Sequence, residues 1–384
     1  MKIEIKKVAL YKAISIVNKA VSSTPKRDVL KGILIVAESE GIYLTGYNEI
    51  FAIRHFIPCE TDGELQINVQ ESGSIVLPEK HLTQITSNFR QEWMSIEIDE
   101  DNKAIIYAES KKSKKRVSKH DLNGYSSKDF PVFPGVETTG DYEKGFVISS
   151  NKLKEIISDT IFAISTSEIR PIITGERWVY ENEELIIEST DAHRLARRRT
   201  EVKGDKDTID FVFPGKSLME LEKILNESNA SIYTNGTSVL ISFGNTTFIS
   251  RTLEGAYPNT SKIIPEKFST EIKINRLELL KALDGCNVFN GGKNPLIKIQ
   301  ILNDSTVSLT SVESGVGSAE EVMECTNLSG DSISIKLNRN FLYRALKALS
   351  EKEEVIIRIA GPLLPVVIQY EDREDHVQLM LPMR

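Results

Sequence analysis

Little in this chain points to reactive chemistry. Its three cysteines, Cys59, Cys286 and Cys325, are scattered, odd in number and form no CxxC pair, which excludes a disulfide framework and favours a reducing cytoplasm. The five histidines, His55, His81, His120, His193 and His376, lie far apart and lack metal-ligand spacing, so no zinc site or other metal site is expected. No apolar run is long enough to span a membrane. The opening Met1-Lys2-Ile3-Glu4-Ile5-Lys6 alternates like a strand rather than a signal peptide. A basic excess is also missing: the net charge is −7, which argues against a simple nucleic-acid binder unless an acidic exterior hides a basic inner surface.

What the 384 residues do contain is repetition. A helix-period segment recurs as Val8–Ile14, Leu153–Ile157 and Leu277–Leu283. A second recurs as Leu77–Leu82, Phe213–Leu218 and Leu337–Leu342. Offsets of roughly 120 to 145 residues are domain-sized rather than solenoid-sized. Each copy also carries a hairpin pattern: Ile33–Ala37 with Ile42–Thr45, Arg177–Tyr180 with Leu185–Glu188, and Ile297–Ile301 with Val307–Thr310. The extended, proline-bearing connectors Phe130–Gly135 and Tyr257–Pro265 mark boundaries. The expectation is an α+β chain of three similar domains, 1–133, 134–264 and 265–384, each with two helices and mostly antiparallel strands. A domain copied in this way suits a ring.

Local motifs offer less. Thr190-Asp191-Ala192-His193-Arg194-Leu195 holds an acid and a base, yet no GxSxG-like nucleophile accompanies it. The plainer reading is a strand end and tight turn held by Asp191, with no catalytic residue in the chain. Gly215-Lys216-Ser217 ends like a phosphate loop, but Asp210 stands where its first glycine is required, and Gly291-Gly292-Lys293 fails likewise. Lys111–Arg116 reads as a solvated hairpin tip, or as a phosphate-contacting patch. Basic residues recur on the first helix set (Lys7, Lys12, Lys19; Lys152, Lys154; Arg276, Lys281) and the second (Lys80, Lys216, Arg339). On a ring they would face one way, a surface suited to phosphates without base reading.

Together Leu44-Thr45-Gly46, Thr174-Gly175, Thr190–Ala196, Phe213-Pro214-Gly215-Lys216, Leu253–Asn259 and the ending Val377–Arg384 resemble, across the whole chain, the β sliding clamps of bacterial DNA polymerase III. Ser165–Ile172 looks most like Bacillus-group clamps. The resemblance implies a non-catalytic cytoplasmic processivity factor without a cofactor. Two chains would close head to tail into a six-domain ring that encircles duplex DNA and slides independently of sequence. The DNA-facing residues would be Lys12, Lys26, Arg27, Lys80, Lys152, Arg170, Lys216 and Arg339. It also implies a pocket for short peptides of the polymerase III α subunit, the clamp loader and repair polymerases. Its residues would be Ile173, Thr190, Ala192, His193, Arg194, Leu195, Pro258, Lys262 and Ile263, with Asn338, Phe341, Pro365, Val367, Leu379, Met380, Leu381, Pro382, Met383 and Arg384. The dimer interface would use His120, Leu122, Val288 and Phe289. Departures from the family pattern include Ala192 for a usual glycine, Lys262 for an arginine, Phe341 for a hydroxylated aromatic, Lys26–Leu30 for a proline-containing stretch, and His120 at an apolar interface position. They raise an alternative, a divergent clamp paralogue that binds partners without encircling DNA.

Overall fold

A computed structural model describes residues 1–109, 116–133, 142–205, 208–289, 295–302, 305–311 and 317–383, the side chain of Phe289 excepted. Lys111–Lys115, Pro134, Gly135, Gly291–Lys293 and Arg384 lie outside the described residues. The described chain divides into two compact units, unit 1 (Met1–Asn151 and Lys223–Thr252) and unit 2 (Lys152–Glu222 and Leu253–Arg384).

Six α-helices occur among the described residues: α1 (Lys7–Val17), α2 (Glu79–Asn88), α3 (Ser150–Thr160), α4 (Gly215–Ile224), α5 (Arg276–Cys286) and α6 (Arg339–Ala348). None is long and apolar enough to cross a membrane. Their periodicity explains them: Leu10, Ala13, Ile14 and Val17 of α1 are buried at helical spacing. Asparagine starts both late helices. Asn275 accepts from the amides of Leu277 and Glu278, and Asn338 from those of Asn340 and Phe341, satisfying donors that a helix start leaves open.

Unit 1 holds a five-stranded antiparallel sheet in the order Arg116–Asn123, Lys103–Glu109, Trp93–Ile98, Lys2–Lys6, Ile67–Glu71. Its second sheet includes the hairpin Gly32–Glu38/Gly41–Tyr47 followed by Phe51–Pro58, which pairs with Thr246–Arg251. Unit 2 holds a nine-stranded sheet, where strand Arg194–Glu201 joins strand Arg373–Met380. A four-stranded sheet has the acidic strand Glu320–Glu324 at its edge. The hairpins expected near 33–45, 177–188 and 297–310 are all present.

Two arginines expected among helix-borne surface cations are buried in unit 2, and this corrects the DNA-facing set. Arg339 is 7 % exposed; it donates to Leu283 O (3.2 Å) and pairs with Asp284 (2.6 Å). Arg276 is 8 % exposed and donates to Leu346 O (3.3 Å). Each is the first residue of its helix, and each reaches last-turn carbonyls of the other helix. α5 and α6 thus cap one another reciprocally, with the guanidinium charge set against the negative helix end. The aliphatic stems are buried along the way.

Leu122, expected at the dimer interface, pairs opposite Ala104 and is 9 % exposed. Val288 is 78 % exposed, and the Phe289 side chain lies outside the described set.

Candidate peptide-binding site

The site grows from one turn in unit 2. Strands Glu184–Thr190 and Arg194–Glu201 are joined by Asp191-Ala192-His193. Asp191 Oδ1 accepts from the amides of His193 (3.0 Å) and Arg194 (3.2 Å), and its Oδ2 accepts from Arg194 Nε (3.0 Å). Thr190 Oγ1 donates to Arg194 O (2.6 Å) and accepts from the Ala192 amide. The Asp191 carboxylate is therefore committed to holding the turn, as expected of a structural rather than a catalytic acid. His193 stands exposed at its tip.

Ala192 has φ 74°, the left-handed region where a Cβ is strained. That accounts for the glycine which the resemblance places here. Ala192→Gly is expected to raise stability by about 0.5–1 kcal/mol, read as a higher urea midpoint at unchanged slope; a lower midpoint would contradict the strain.

Strand pairing sets the floor. Leu195 lies opposite Leu379, and Leu379 opposite Val367. These three pack with Val377 in one buried cluster, with Ile264 and Phe268 against it. Val367 is wholly buried, so it shapes the floor without offering surface. Asn338 likewise acts from behind, its side chain occupied in starting α6. The tail is pinned at two points: Leu381 N donates to His193 O (2.9 Å) and Met383 N to Lys336 O (2.8 Å). Leu381 and Ile263 remain 36 % exposed and offer apolar contact.

The guanidinium of Arg194 lies over the rings of Phe341 (4.3 Å) and Phe162 (5.3 Å), a cation–π sandwich that the sequence reading missed for Phe162. Burial pulls the Arg194 guanidinium below its ordinary value, and Asp191 beside it opposes that pull. Pro258, half-buried, follows Tyr257, whose hydroxyl donates to Glu188 O (3.4 Å) and whose burial raises its phenol. Thr260 donates to Glu188, which Arg197 also grips at 2.9 Å. This network fixes the connector carrying Lys262 and Ile263, both exposed. Ile173 and Thr190 are buried, Met380 is 2 % exposed, and Pro365, Pro382 and Met383 are half-buried.

In the same unit Glu176 is wholly buried, accepting from Thr160 Oγ1 (2.7 Å) and Trp178 Nε1 (3.4 Å). Burial pushes its carboxyl up to about 8 from an ordinary 4.5. With the folded value raised, its contribution to stability is complete below pH 4.5 and is lost as pH rises through about 8. Glu176→Gln is expected to flatten this fall. Urea midpoints of the two proteins at pH 5 and pH 8.5 test it, and parallel changes would refute the assignment.

The expected DNA-facing cations, apart from Arg339, lie at the surface. Lys12, Lys26, Arg27, Lys80 and Arg170 are exposed; Arg27 donates to Asp129 O. Lys152 pairs with Glu155 (2.8 Å), and Lys216 with Glu168 (3.4 Å).

Comparison with known proteins adds the family. Models of the DNA polymerase III beta subunit match in order: the N-terminal domain over residues 1–134, the central domain over 147–259 and the C-terminal domain over 261–384. The chain is 33 % identical over 388 residues to the beta sliding clamp of Bacillus subtilis strain 168, covering 100 % of both. It is 32 % identical over 369 residues to that of Staphylococcus aureus, covering 95 % of this chain and 94 % of the relative. Against the crystal structure of the Bacillus subtilis DNA polymerase sliding clamp the TM-score is 0.94 at 33 % identity, covering 100 % of this chain and 99 % of that one. A putative DNA polymerase III beta subunit from Eubacterium rectale gives 0.90 at 29 % identity with full coverage of both. With three domain models in register and full-length relatives of one kind, the chain belongs to the DNA polymerase III beta subunit family, the beta sliding clamps.

Proposed function

We propose that this chain pairs head to tail with a second copy to close a ring of six domains, 1–133, 134–264 and 265–384 from each, around duplex DNA in the cytoplasm. It tethers DNA polymerase III and other partners as a non-catalytic processivity factor. The observation that carries this reading is the full-length similarity to beta sliding clamps. Nothing favours the alternative of a paralogue that does not encircle DNA.

In this reading Lys12, Lys26, Arg27, Lys80, Lys152, Arg170 and Lys216 meet phosphates loosely, which suits sliding. The surface around His193, Arg194, Phe341 and Leu381 receives linear peptides of the polymerase α subunit, the clamp loader and repair polymerases, its floor built by Leu195, Val367 and Leu379.

Two sheet edges support the dimer. Strand Arg116–Asn123 ends the five-stranded sheet of unit 1 and exposes Arg116, Lys119, His120 and Asp121, with Arg116 paired to Glu97 (3.3 Å) and Lys119 to Asp121 (3.2 Å). Strand Glu320–Glu324 ends the four-stranded sheet of unit 2 and exposes Glu320, Glu321 and Glu324. An edge whose two cations outnumber its one acid, set against an acidic edge, can extend one sheet across two chains. Light scattering over a concentration series, with retention on nicked circular but not linear DNA, tests the proposal. A monomer at all concentrations sinks it. Arg116→Glu with Lys119→Glu is expected to weaken the dimer at least tenfold, with restoration by Glu320→Lys and Glu324→Lys; an unchanged dimer would remove the edges from the interface.

A further inference from the structure

We propose that the apolar hollow beside the turn Asn48–Phe51 in unit 1 is a second linear-peptide site, one that takes a single large apolar side chain next to a carboxylate. The proposal rests on reading the surface at His193 and Leu381 as a peptide site, because the two places are built alike. Asn48 Oδ1 accepts from the amides of Ile50 (3.1 Å) and Phe51 (3.0 Å), as Asp191 does from His193 and Arg194. Glu49 has φ 72°, against 74° at Ala192. A returning strand follows in both. Ser250 lies opposite Phe51 and Ile249 opposite Ala52, as Met380 lies opposite Arg194 and Leu379 opposite Leu195. Arg251 N donates to Ile50 O (3.4 Å), matching Leu381 N on His193 O. Arg251 therefore occupies in this turn the place of Leu381 in the other.

The hollow measures about 240 Å³ and is walled by Tyr47, Phe130, Phe133 and Ile249. That is smaller than the roughly 300–1,000 Å³ of a site for a whole small ligand, and it suits one anchor side chain on a longer chain. Val132 on its rim is 94 % exposed, an apolar side chain at the surface of the described residues. Apart from tyrosines, Arg251 is the one ionisable group among the described residues of its lining. The Arg251 guanidinium in the lining, with that of Arg54 4.3 Å from the ring of the wall residue Phe133, selects a carboxylate beside the anchor. The occupant is thus an acidic-aromatic or acidic-aliphatic peptide.

The test uses the full chain and a fluorescein-labelled Gly-Asp-Phe-Gly peptide, read by anisotropy. Leu381→Asp protein, with the other surface disabled, is expected to retain one site. Adding Val132→Asp and Arg251→Glu, both at exposed positions, should weaken that site at least tenfold while circular dichroism stays unchanged. Gly-Asn-Phe-Gly should bind the Leu381→Asp protein about tenfold more weakly than the aspartate peptide, the loss of one charged hydrogen bond. No uptake by the Leu381→Asp protein overturns the hollow while leaving the other site intact. Uptake that is unchanged by Leu381→Asp but lost on altering the hollow overturns instead the reading at Leu381. If N-acetylphenylalanine binds the hollow as tightly as the peptide, the hollow is a small-carboxylate site and the peptide assignment falls.

Discussion

Replacing Arg198 by alanine is expected to destabilise unit 2 by about 3–5 kcal/mol at pH 8, the cost of stranding charges whose buried partner is removed. Arg198 is fully buried and gathers four carboxylates: Glu155 (2.6 Å), Asp159 (3.1 Å), Glu351 (3.2 Å) and Asp375 (3.5 Å). They arrive from α3, from the turn after α6 and from strand Arg373–Met380. Arg373 shares Glu351 and Asp375 but sits nearer solvent. Burial already pushes the Asp159 carboxyl up to about 7, against the pull of Arg198. His376, 3.9 Å from Asp159, is held down to about 3 by burial and so stays neutral there, offering no compensating charge. Without Arg198 the carboxylates repel one another, and those of Asp159, Glu351 and Asp375 lose a cation that pulls them down. The deficit should therefore shrink as pH falls and protons neutralise them. Urea unfolding of both proteins at pH 8 and pH 5 reads it. A deficit under about 1 kcal/mol at pH 8, or one that grows on acidification, would show that Arg198 is not the hub.

Deleting Leu381–Arg384 is expected to weaken binding of a polymerase III α-subunit peptide by about thirtyfold or more, the loss of one central apolar anchor of about 2 kcal/mol. Leu381 hangs from His193 O, and the chain is caught again at Met383 by Lys336 O. The tail is thus laid across the turn with its side chain presented outward, at little further ordering cost when a peptide arrives. Met380 stays, because it is 2 % exposed and paired opposite Arg194. Isothermal titration gives the affinity and light scattering shows whether the dimer survives. An unchanged affinity would remove the tail from the site, whereas a lost dimer would mean that the tail supports the fold.

Periodicity carried most of the architecture. The stripe Leu10, Ala13, Ile14 and Val17 and the three hairpins are local patterns, and a local pattern survives into the fold. The Asp191 turn was legible too, since an aspartate after a strand bonds the amides two and three residues on. Arg276 and Arg339 misled because a cation at a helix start looks solvent-facing, and only the antiparallel partner helix brings a carbonyl end within its reach. Arg198 could not be seen at all, because its partners at 155, 159, 351 and 375 meet only through the pairing of Arg194–Glu201 with Arg373–Met380. Phe162 meets Arg194 because the short turn Ile161–Ala163 after α3 packs on strand Arg194–Glu201.

The two sheet edges have a consequence for assembly as a vector. Glu320, Glu321 and Glu324 on one edge would repel a copy of themselves, whereas the other edge sets Arg116 and Lys119 beside Glu97 and Asp121. In the proposed ring, unlike ends would therefore meet more readily than like ones. A pair joined twice in that sense has its two-fold axis running through the hole, so every surface feature of one protomer is repeated on the same side in its mate. In the proposed ring a single direction of approach would then follow for anything that docks beside His193: two callers would sit side by side, facing the same way along the duplex, and one could take over from the other without the ring being turned around.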